Sequence, residues 1–263
     1  MNETDTRLLQ ETPLLDHGNE LIRTLIAERG WLALDDYNRI GAAYDFVRNE
    51  IAFGYNASDD IAASKVLSDG YGQCNTKATL LMALFRALGI ACRLHGFTIH
   101  KSLQRGVVPE SVYRIAPQDI LHSWVEVLHG SRWINLEGFI LDDRYLASLQ
   151  THCVKESGSI CAFGAGTDNL QEPGTRWMGK DTYIQRTGIN ADLGVFSSPD
   201  EFYREHRQNI SGLRELAYRY FIRHWMNRRV ARIRAGKLPF LPAEPRKNTS
   251  AEKQAGSASV EFR

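Results

Sequence analysis

One stretch of the chain, SDGYGQCNTKATLLMALFRALGI (residues 68–90), constrains the fold more than any other, because it predicts a buried helix with a defined beginning and end. Its apolar residues recur at alternating steps of four and three, which places them on one helical face. The stripe consists of Cys74, Ala78, Leu81, Leu84, Phe85 and Leu88. Gly89 stands where many helices end in a left-handed residue. Gly70-Tyr71-Gly72 predicts a tight turn that delivers Cys74 to the first helical turn.

Strand patterns follow this helix. The segment ACRLHGFTI (residues 91–99) alternates apolar and polar residues, and HSWVEVL (122–128) and RWINLEGFI (132–140) predict two further strands. A dominant helix followed by an antiparallel sheet is an α+β arrangement. We therefore expect an α+β core in which the helix packs on the sheet, with added helices at both ends of the chain.

The pattern and composition divide the chain into five segments. Residues 1–34 form a helical lead-in and residues 35–150 form the α+β core. Residues 151–197 are irregular and rich in glycine, which makes them a candidate lid. Residues 198–237 open with a helix start signal, Ser-Pro, and predict basic helices. Residues 238–263 are rich in Pro, Ser, Lys and Glu, and predict a disordered tail.

Charge, apolar runs and cysteine usage limit the classes of function. The net charge of +1 gives no global attraction to nucleic acid or membranes. No apolar run approaches the length of about 18 residues that a membrane helix needs, and the polar N-terminus lacks a signal-peptide core. The cysteines contain no C-x-x-C pair, which is typical of a reducing compartment. We expect a soluble cytoplasmic protein.

The stretch from 213 to 237 contains seven arginines and one lysine against a single glutamate. The sequence favours helices that dock on the core and keep a solvated basic face. A face that binds an anionic partner or a membrane surface is the alternative. Because a charge run carries no base-reading motif, we do not expect a nucleic-acid partner.

Cys74 allows two interpretations. Free cysteine is among the most buried residue types, so the thiol could simply fill the core. However, the N-terminus of a helix stabilises a thiolate through its unpaired N–H groups and its dipole. Reactive cysteines occur at such positions, and the same N–H groups can receive the oxyanion of a tetrahedral intermediate.

The predicted hairpin brings a base and an acid together. The register of the hairpin can be stated as the sum of the numbers of two residues that lie opposite each other on its strands. If the four valine, isoleucine and leucine residues share one face, this sum is an odd value such as 259 or 261. The first register has a two-residue loop and sets His122 opposite Glu137. The second has a four-residue loop and makes them diagonal neighbours. Either register lets Glu137 orient His122, which is the arrangement that activates a nucleophile. A solvated polar face is the alternative.

Two other motifs are candidates for binding sites, and neither predicts one. FGAGTDNL (163–170) lacks the Lys-Ser/Thr of a phosphate-binding loop, so we interpret it as a flexible loop. His152, Cys153 and Cys161 lack a fourth ligand at a typical spacing, so we predict neither a metal nor a cofactor. For His95 and His100 we favour an ordinary structural role.

Three motifs together resemble a known family. GYGQC opening a helix, then HSWVEV and WINLEG, look like the transglutaminase-like superfamily of papain-like cysteine enzymes. The resemblance covers about Asp36 to Tyr145 and leaves out the last hundred residues. It implies a papain-like fold with Cys74 as nucleophile, His122 as general base and acid, and Glu137 as orienting acid.

The sequence departs from this family in two places. The family usually has Asp where Glu137 stands, and Asp142 in FILDD remains an alternative third acid, although an extended chain puts it about 17 Å beyond Glu137. Asn75 stands where animal transglutaminases have tryptophan, which argues against protein cross-linking. The resemblance places an oxyanion hole at the Cys74 N–H plus a second donor, for which Gln73 is a candidate.

The implied reaction is acyl transfer through a thioester on Cys74. We predict a hydrolase, a protease or amidase, that acts on an amide or ester bond of a peptide, a protein or a small molecule. A transamidase with an amine acceptor is one alternative. A binding module that keeps the fold without catalysis is another, and Glu137 in place of Asp favours it.

Overall fold

The structure is a computed structural model that describes residues 6–153, 158–208 and 212–241. Helices dominate the first third of the chain, and two very short strands lie between them. In chain order these elements are α1 (Glu20–Glu28), α2 (Asp36–Asn49), β1 (Ala52–Phe53), α3 (Ala63–Asp69), β2 (Tyr71–Gly72) and α4 (Cys74–Ala87).

Strands and short helices follow. In chain order they are β3 (Cys92–His100), α5 (Glu110–Ile115), β4 (Asp119–His129), β5 (Arg132–Leu136), α6 (Asp143–His152), β6 (Ile160–Ala162), β7 (Ala165–Thr167), β8 (Ile189–Phe196), α7 (Pro199–Glu205), α8 (Leu213–Ala217) and α9 (Arg223–Arg234). A π-helical turn, Tyr218–Ile222, joins α8 to α9. Short 3-10 turns lie at Trp31–Ala33, Lys101–Gln104 and Arg186–Gly188.

The central sheet is antiparallel and has the strand order β5-β4-β3-β8. Helix α4 packs on this sheet, and every residue from Cys74 to Arg86 is buried. Gly89 ends the helix with a positive φ of 75°, as its position predicts. The mixture of helices with an antiparallel sheet confirms the α+β class.

The β4–β5 hairpin uses the second of the two predicted registers, since Val125 pairs with Leu136 and Val127 with Ile134. The prediction of a four-residue loop for that register is wrong. His129 pairs with Arg132, so that only two residues, Gly130 and Ser131, form the turn. Both have positive φ, 53° and 64°, which is the conformation of the tight turns that match the twist of a hairpin.

The glycine-rich segment 151–197 is more regular than its composition predicts. Its last part forms β8, which pairs with β3 and completes the central sheet. Two register shifts interrupt this pairing, one between Gly96 and Phe97. The strand INADLGVF lacks clean alternation, and tertiary pairing rather than local propensity determines its conformation. The stretch between β3 and β4, for which the sequence predicts no strand, likewise contains the helix α5.

The C-terminal helices lie against the rest of the molecule. Ser198 caps α7 by accepting a hydrogen bond from the Glu201 N–H, as the start signal predicts. Met226, Val230 and Ile233 on α9 are buried in the main hydrophobic cluster, which also contains residues of the first helix. The five-segment division remains a prediction, and residues 242–263 of the predicted tail lie outside the described part of the chain.

Candidate active site

Cys74 is the first residue of α4. The tight turn predicted before it is not formed: Gly70 ends α3 in a left-handed conformation, Tyr71 and Gly72 form β2, and Gln73 caps α4. Gly72 allows β2 to lie close to the first turn of α4, because a Cβ there would come within 2.7 Å of Thr76 Oγ1 and 2.9 Å of Lys77 Cγ. Gln73 caps the helix, and its backbone N–H donates to Thr76 Oγ1 at 3.1 Å. The side chain of Cys74 therefore stands at the positive end of the helix dipole, with 9% of the residue exposed.

His122 on β4 and Glu137 just after β5 are in direct contact. His122 Nε2 lies 2.8 Å from Glu137 Oε1, and both residues are fully buried. The predicted proximity of these two side chains is confirmed. Within the described part of the chain, His122 Nδ1 has no hydrogen-bond partner.

Glu137 is held by the main chain as well as by His122. Its second oxygen, Oε2, accepts hydrogen bonds from the backbone N–H groups of Ile184 and Gln185, both at 2.8 Å. These two donors replace the hydrogen bonds to water that the carboxyl group loses when it is buried. Sequence reasoning missed them, because backbone donors carry no residue-type signal and lie 47 and 48 positions away.

The surroundings of His122 favour its charged form. Burial is the strongest single influence and lowers its pKa, but Cys74 and then Glu137 outweigh burial and raise the pKa to about 10. Cys74 is thus close enough to interact electrostatically with the ring. These interactions therefore favour the imidazolium form of His122 near pH 7.

Asn75 ties the first turn of α4 to both neighbours of His122. Its Nδ2 donates to the Leu121 carbonyl at 3.2 Å, and its Oδ1 accepts from the Ser123 hydroxyl at 2.9 Å. Asn75 and Ser123 are buried, with 2% and 0% exposed. This pair of bonds fixes the helix that carries Cys74 relative to the strand that carries His122. The sequence identified Asn75 only as a departure from tryptophan.

The family comparison covers the part of the chain that contains these residues. The family model of the transglutaminase-like superfamily matches residues 27–138. The resemblance inferred from the three sequence motifs is therefore confirmed. We refer to this segment as the transglutaminase-like core.

Comparison with solved structures identifies a distant neighbour. A crystal structure from Cytophaga hutchinsonii, described as a "putative cysteine protease", is 14% identical and has a TM-score of 0.45. The match covers 76% of this chain and 50% of the other, so this chain spans about half the length of that protein. No curated protein matches the chain.

Gln73 lies beside Cys74 in the transglutaminase-like core, but its side chain takes part in the helix cap. Its Nε2 donates to Asp59 Oδ1 at 2.6 Å, and its Oε1 accepts from the Asn56 N–H at 2.9 Å. Burial raises the pKa of Asp59. These contacts fix the amide in the cap of α4. Its role as an oxyanion donor remains a prediction.

Asp142 is bound by other groups and is not brought to His122. It caps α6 by accepting from the Tyr145 N–H at 2.9 Å, and it also accepts from the Phe53 N–H at 3.0 Å. Arg234 on α9 donates to both of its oxygens, at 2.7 Å in the closest contact. Asp142 therefore anchors the C-terminal helix. The geometry supports Glu137 as the third acid.

Replacing Asp142 with alanine should lower the free energy of unfolding by about 3 kcal/mol, because it leaves Arg234 partly buried without its partner. Burial alone would raise the pKa of Asp142, but Arg234 and the two N–H donors lower it overall. This contribution is therefore present above the ordinary carboxyl pKa and is lost as the pH falls. Urea unfolding at several pH values measures it. A changed pH dependence of Cys74 alkylation in this variant would instead connect Asp142 to the nucleophile.

The remaining candidate residues lie in local contacts. His95 on β3 binds Glu126 through Nδ1 at 2.7 Å and Asp192 through Nε2 at 2.9 Å. His152 Nδ1 lies 2.8 Å from the Ser148 carbonyl, and Cys161 Sγ lies 3.1 Å from Ser102 Oγ. Among residues 6–153, 158–208 and 212–241, no three His, Cys, Asp or Glu side chains form a group that could hold a metal ion.

Proposed function

We propose that the protein is a cysteine-dependent acyl-transfer enzyme in which Cys74, His122 and Glu137 form the catalytic triad. The observation that carries this proposal is the bonding of His122: Glu137 holds its Nε2, while Nδ1 is left free for the Cys74 thiol. The match of residues 27–138 to the family model of the transglutaminase-like superfamily supports the same chemistry.

In the proposed reaction, the Cys74 thiol gives its proton to His122 Nδ1, and the thiolate attacks the carbonyl carbon of an amide or ester. The tetrahedral oxyanion is stabilised by the backbone N–H of Cys74 at the start of α4, with Gln73 as the candidate second donor. His122 then returns the proton to the leaving amine or alcohol as its bond breaks, which leaves a thioester. A water molecule, deprotonated by His122, hydrolyses the thioester and regenerates the thiol.

We infer that the acceptor is water, so that the reaction is hydrolysis. Asn75, in the position where animal transglutaminases have tryptophan, is hydrogen-bonded to Leu121 and Ser123 of β4 and supports this choice. Transamidation is the outcome if an added primary amine appears in the product. We further propose a peptide, protein or small amide or ester as the substrate.

The pH dependence of Cys74 alkylation should differ from that of an ordinary thiol. The raised pKa of His122 predicts a thiolate–imidazolium pair that persists from pH 6.5 to 8, so the rate with iodoacetamide should change less than about twofold. A reference peptide thiol with a pKa of about 8.5 should speed up about twentyfold over that range. Mass spectrometry of the labelled protein measures each cysteine separately, with exposed Cys161 as an internal positive control.

The slope of this pH profile does not depend on how accessible Cys74 is, which is why the slope and not the absolute rate is compared. A Cys74 rate that rises as steeply as that of the reference thiol would contradict the activated nucleophile.

The natural substrate can be sought as an adduct. A His122→Ala variant should both form and release its thioester slowly, because no base activates the thiol or the hydrolytic water, so that an adduct once formed should persist. After incubation with cell extract, mass spectrometry should find an acyl group on Cys74 and not on Cys161.

The remaining expectations are proposals about the rest of the molecule. We propose a cytoplasmic location. In the described residues, none of the helices is both long and apolar enough to cross a bilayer.

The basic C-terminal helices keep aromatic side chains exposed, including Phe221 at 75% and Trp225 at 51%, next to several arginines. An anionic partner for this face and a lid function for residues 151–197 also remain proposals.

A further inference from the structure

Strand β4 has an open edge beside the proposed catalytic centre. On one side, β3 pairs with β4 along nearly its whole length, from Asp119 to Val127. On the other side, β5 pairs only from Val125 onward. Among the described residues, the backbone of residues 119–123 that points to this second side has no strand partner, and this stretch includes His122. An open edge of this kind is a template for pairing with another extended chain.

A side-chain amide occupies part of this open edge. Gln208, in the segment after α7, accepts the Leu121 N–H through Oε1 at 2.9 Å and donates through Nε2 to the Asp119 carbonyl at 3.4 Å. A residue of a parallel strand makes the same pair of bonds, since its carbonyl and its N–H bind to positions two residues apart on the neighbouring strand. The Gln208 amide thus supplies the donor and the acceptor that one residue of a parallel strand would present to the edge of β4.

The next backbone acceptor on this edge, the Leu121 carbonyl, already accepts a hydrogen bond. Asn75 donates to the Leu121 carbonyl, and Asn75 directly follows Cys74 on α4. The part of the edge covered by Gln208 therefore ends where the helix that carries the proposed nucleophile begins. A chain that paired here in the parallel direction would run toward His122 and Cys74.

We propose that the edge of β4 at residues 119–121 is a binding site for an extended polypeptide substrate, with the Gln208 amide occupying the place of the N–H and C=O of one substrate residue. This inference rests on the proposed function and narrows its substrate class to peptides or unfolded protein segments. The paired residues are those N-terminal to the scissile bond, because a parallel strand reaches the nucleophile with its C-terminal end. Recognition is through backbone hydrogen bonds and leaves the substrate sequence largely free.

The geometry of Gln208 allows a substrate to displace it. The donor distance of 3.4 Å is longer than the usual 2.9–3.0 Å of an N–H···O bond, so a backbone N–H at the usual distance binds the same carbonyl better. Gln208 is half-buried and lies outside any helix or strand, so its departure breaks no regular secondary structure. A cap that only protects the edge from aggregation would make the same two contacts, and the experiment separates these roles.

The experiment compares three reagents that alkylate Cys74 in the full chain. The first is a trialanyl chloromethyl ketone, and the second is a series of the same peptide with each backbone nitrogen methylated in turn. The third is iodoacetamide, which has no chain to pair. Rate constants are measured for wild type, for Gln208→Ala and for Gln150→Ala. Gln150 is a matched control because its amide also donates to a backbone carbonyl, that of Leu170, but from α6.

In wild type, methylation at one peptide nitrogen should slow alkylation about fivefold, as expected for one lost hydrogen bond. In Gln208→Ala, the unmethylated peptide should react about fivefold faster relative to iodoacetamide, and the sensitive methylated peptide should not gain. Gln150→Ala should leave these ratios unchanged. Since the wild-type comparison needs no mutation, the proposal stays testable if Gln208→Ala fails to fold.

Two results would overturn the proposal. One is that no methylation position matters in either protein. The other is that peptide and iodoacetamide rates rise by the same factor in Gln208→Ala, since Gln208 would then only cover the site. If Cys74 reacts with none of the reagents while Cys161 is labelled, the proposed function itself fails and the substrate site falls with it.

Discussion

Cys74→Ala should abolish hydrolysis of any amide or ester that the wild-type protein cleaves, with a loss on the order of 10⁴-fold or more. The reason is that the acyl group is carried on Sγ, and no other described thiol is near His122. Cys92 is buried in the core, where burial raises its pKa to about 11. The rates are measured on a panel of peptide, amide and ester substrates, with purified protein whose melting temperature is checked in parallel.

Cys161→Ala is the matched control, because it removes an exposed free thiol and should leave the rate unchanged. The panel also separates the proposed enzyme from a binding module. If wild type and Cys74→Ala are equally inactive on every substrate and bind the same partner equally well, the protein keeps the fold without catalysis.

The part of the site that the sequence could predict depends on residue type and periodicity. The alternation of Val125 and Val127 with polar residues limits the hairpin to a few registers, each of which brings His122 to Glu137. The glycines before Cys74 likewise place the thiol at a helix N-terminus. Such inferences succeed because side-chain identity and a short sequence separation determine them.

The rest depends on contacts that residue type does not encode. The N–H groups of Ile184 and Gln185 hold Glu137, but any non-proline residue could supply them. Asn75 has two partners on a strand 46 and 48 residues away, so its role becomes visible only when α4 and β4 are packed together. Strand β8 was missed for a related reason, since pairing with β3 gives it a conformation that its own sequence does not favour.

Glu137→Gln should lower the rate of acyl transfer by about 10³–10⁴-fold while the fold is kept. The carbonyl oxygen of the new amide can still accept the N–H groups of Ile184 and Gln185, which otherwise lose their shared partner. Its NH₂ group then faces His122 Nε2 and makes that nitrogen an acceptor. The neutral ring must carry its proton on Nδ1, where it can no longer receive the proton of the Cys74 thiol.

The same change should be visible without a substrate. Loss of the Glu137 charge removes one of the groups that raise the pKa of His122, so the imidazolium becomes less stable. Alkylation of Cys74 at pH 6.5 should therefore slow down and become dependent on pH. A role of Glu137 in folding alone would lower the melting temperature but would leave the pH profile of alkylation flat.

Glu126→Gln provides the matched control, because Glu126 lies in the same sheet and binds His95 at 2.7 Å and Arg93 at 2.6 Å, and neither contact involves His122 or Cys74. This variant removes a carboxylate–histidine pair of the same kind and should keep both the rate and the flat alkylation profile. If it lowers the rate as much as Glu137→Gln, the loss reflects the charge or stability of the sheet and not the orientation of His122. Because the two variants change charge equally, a difference between them isolates the contact between Glu137 and His122.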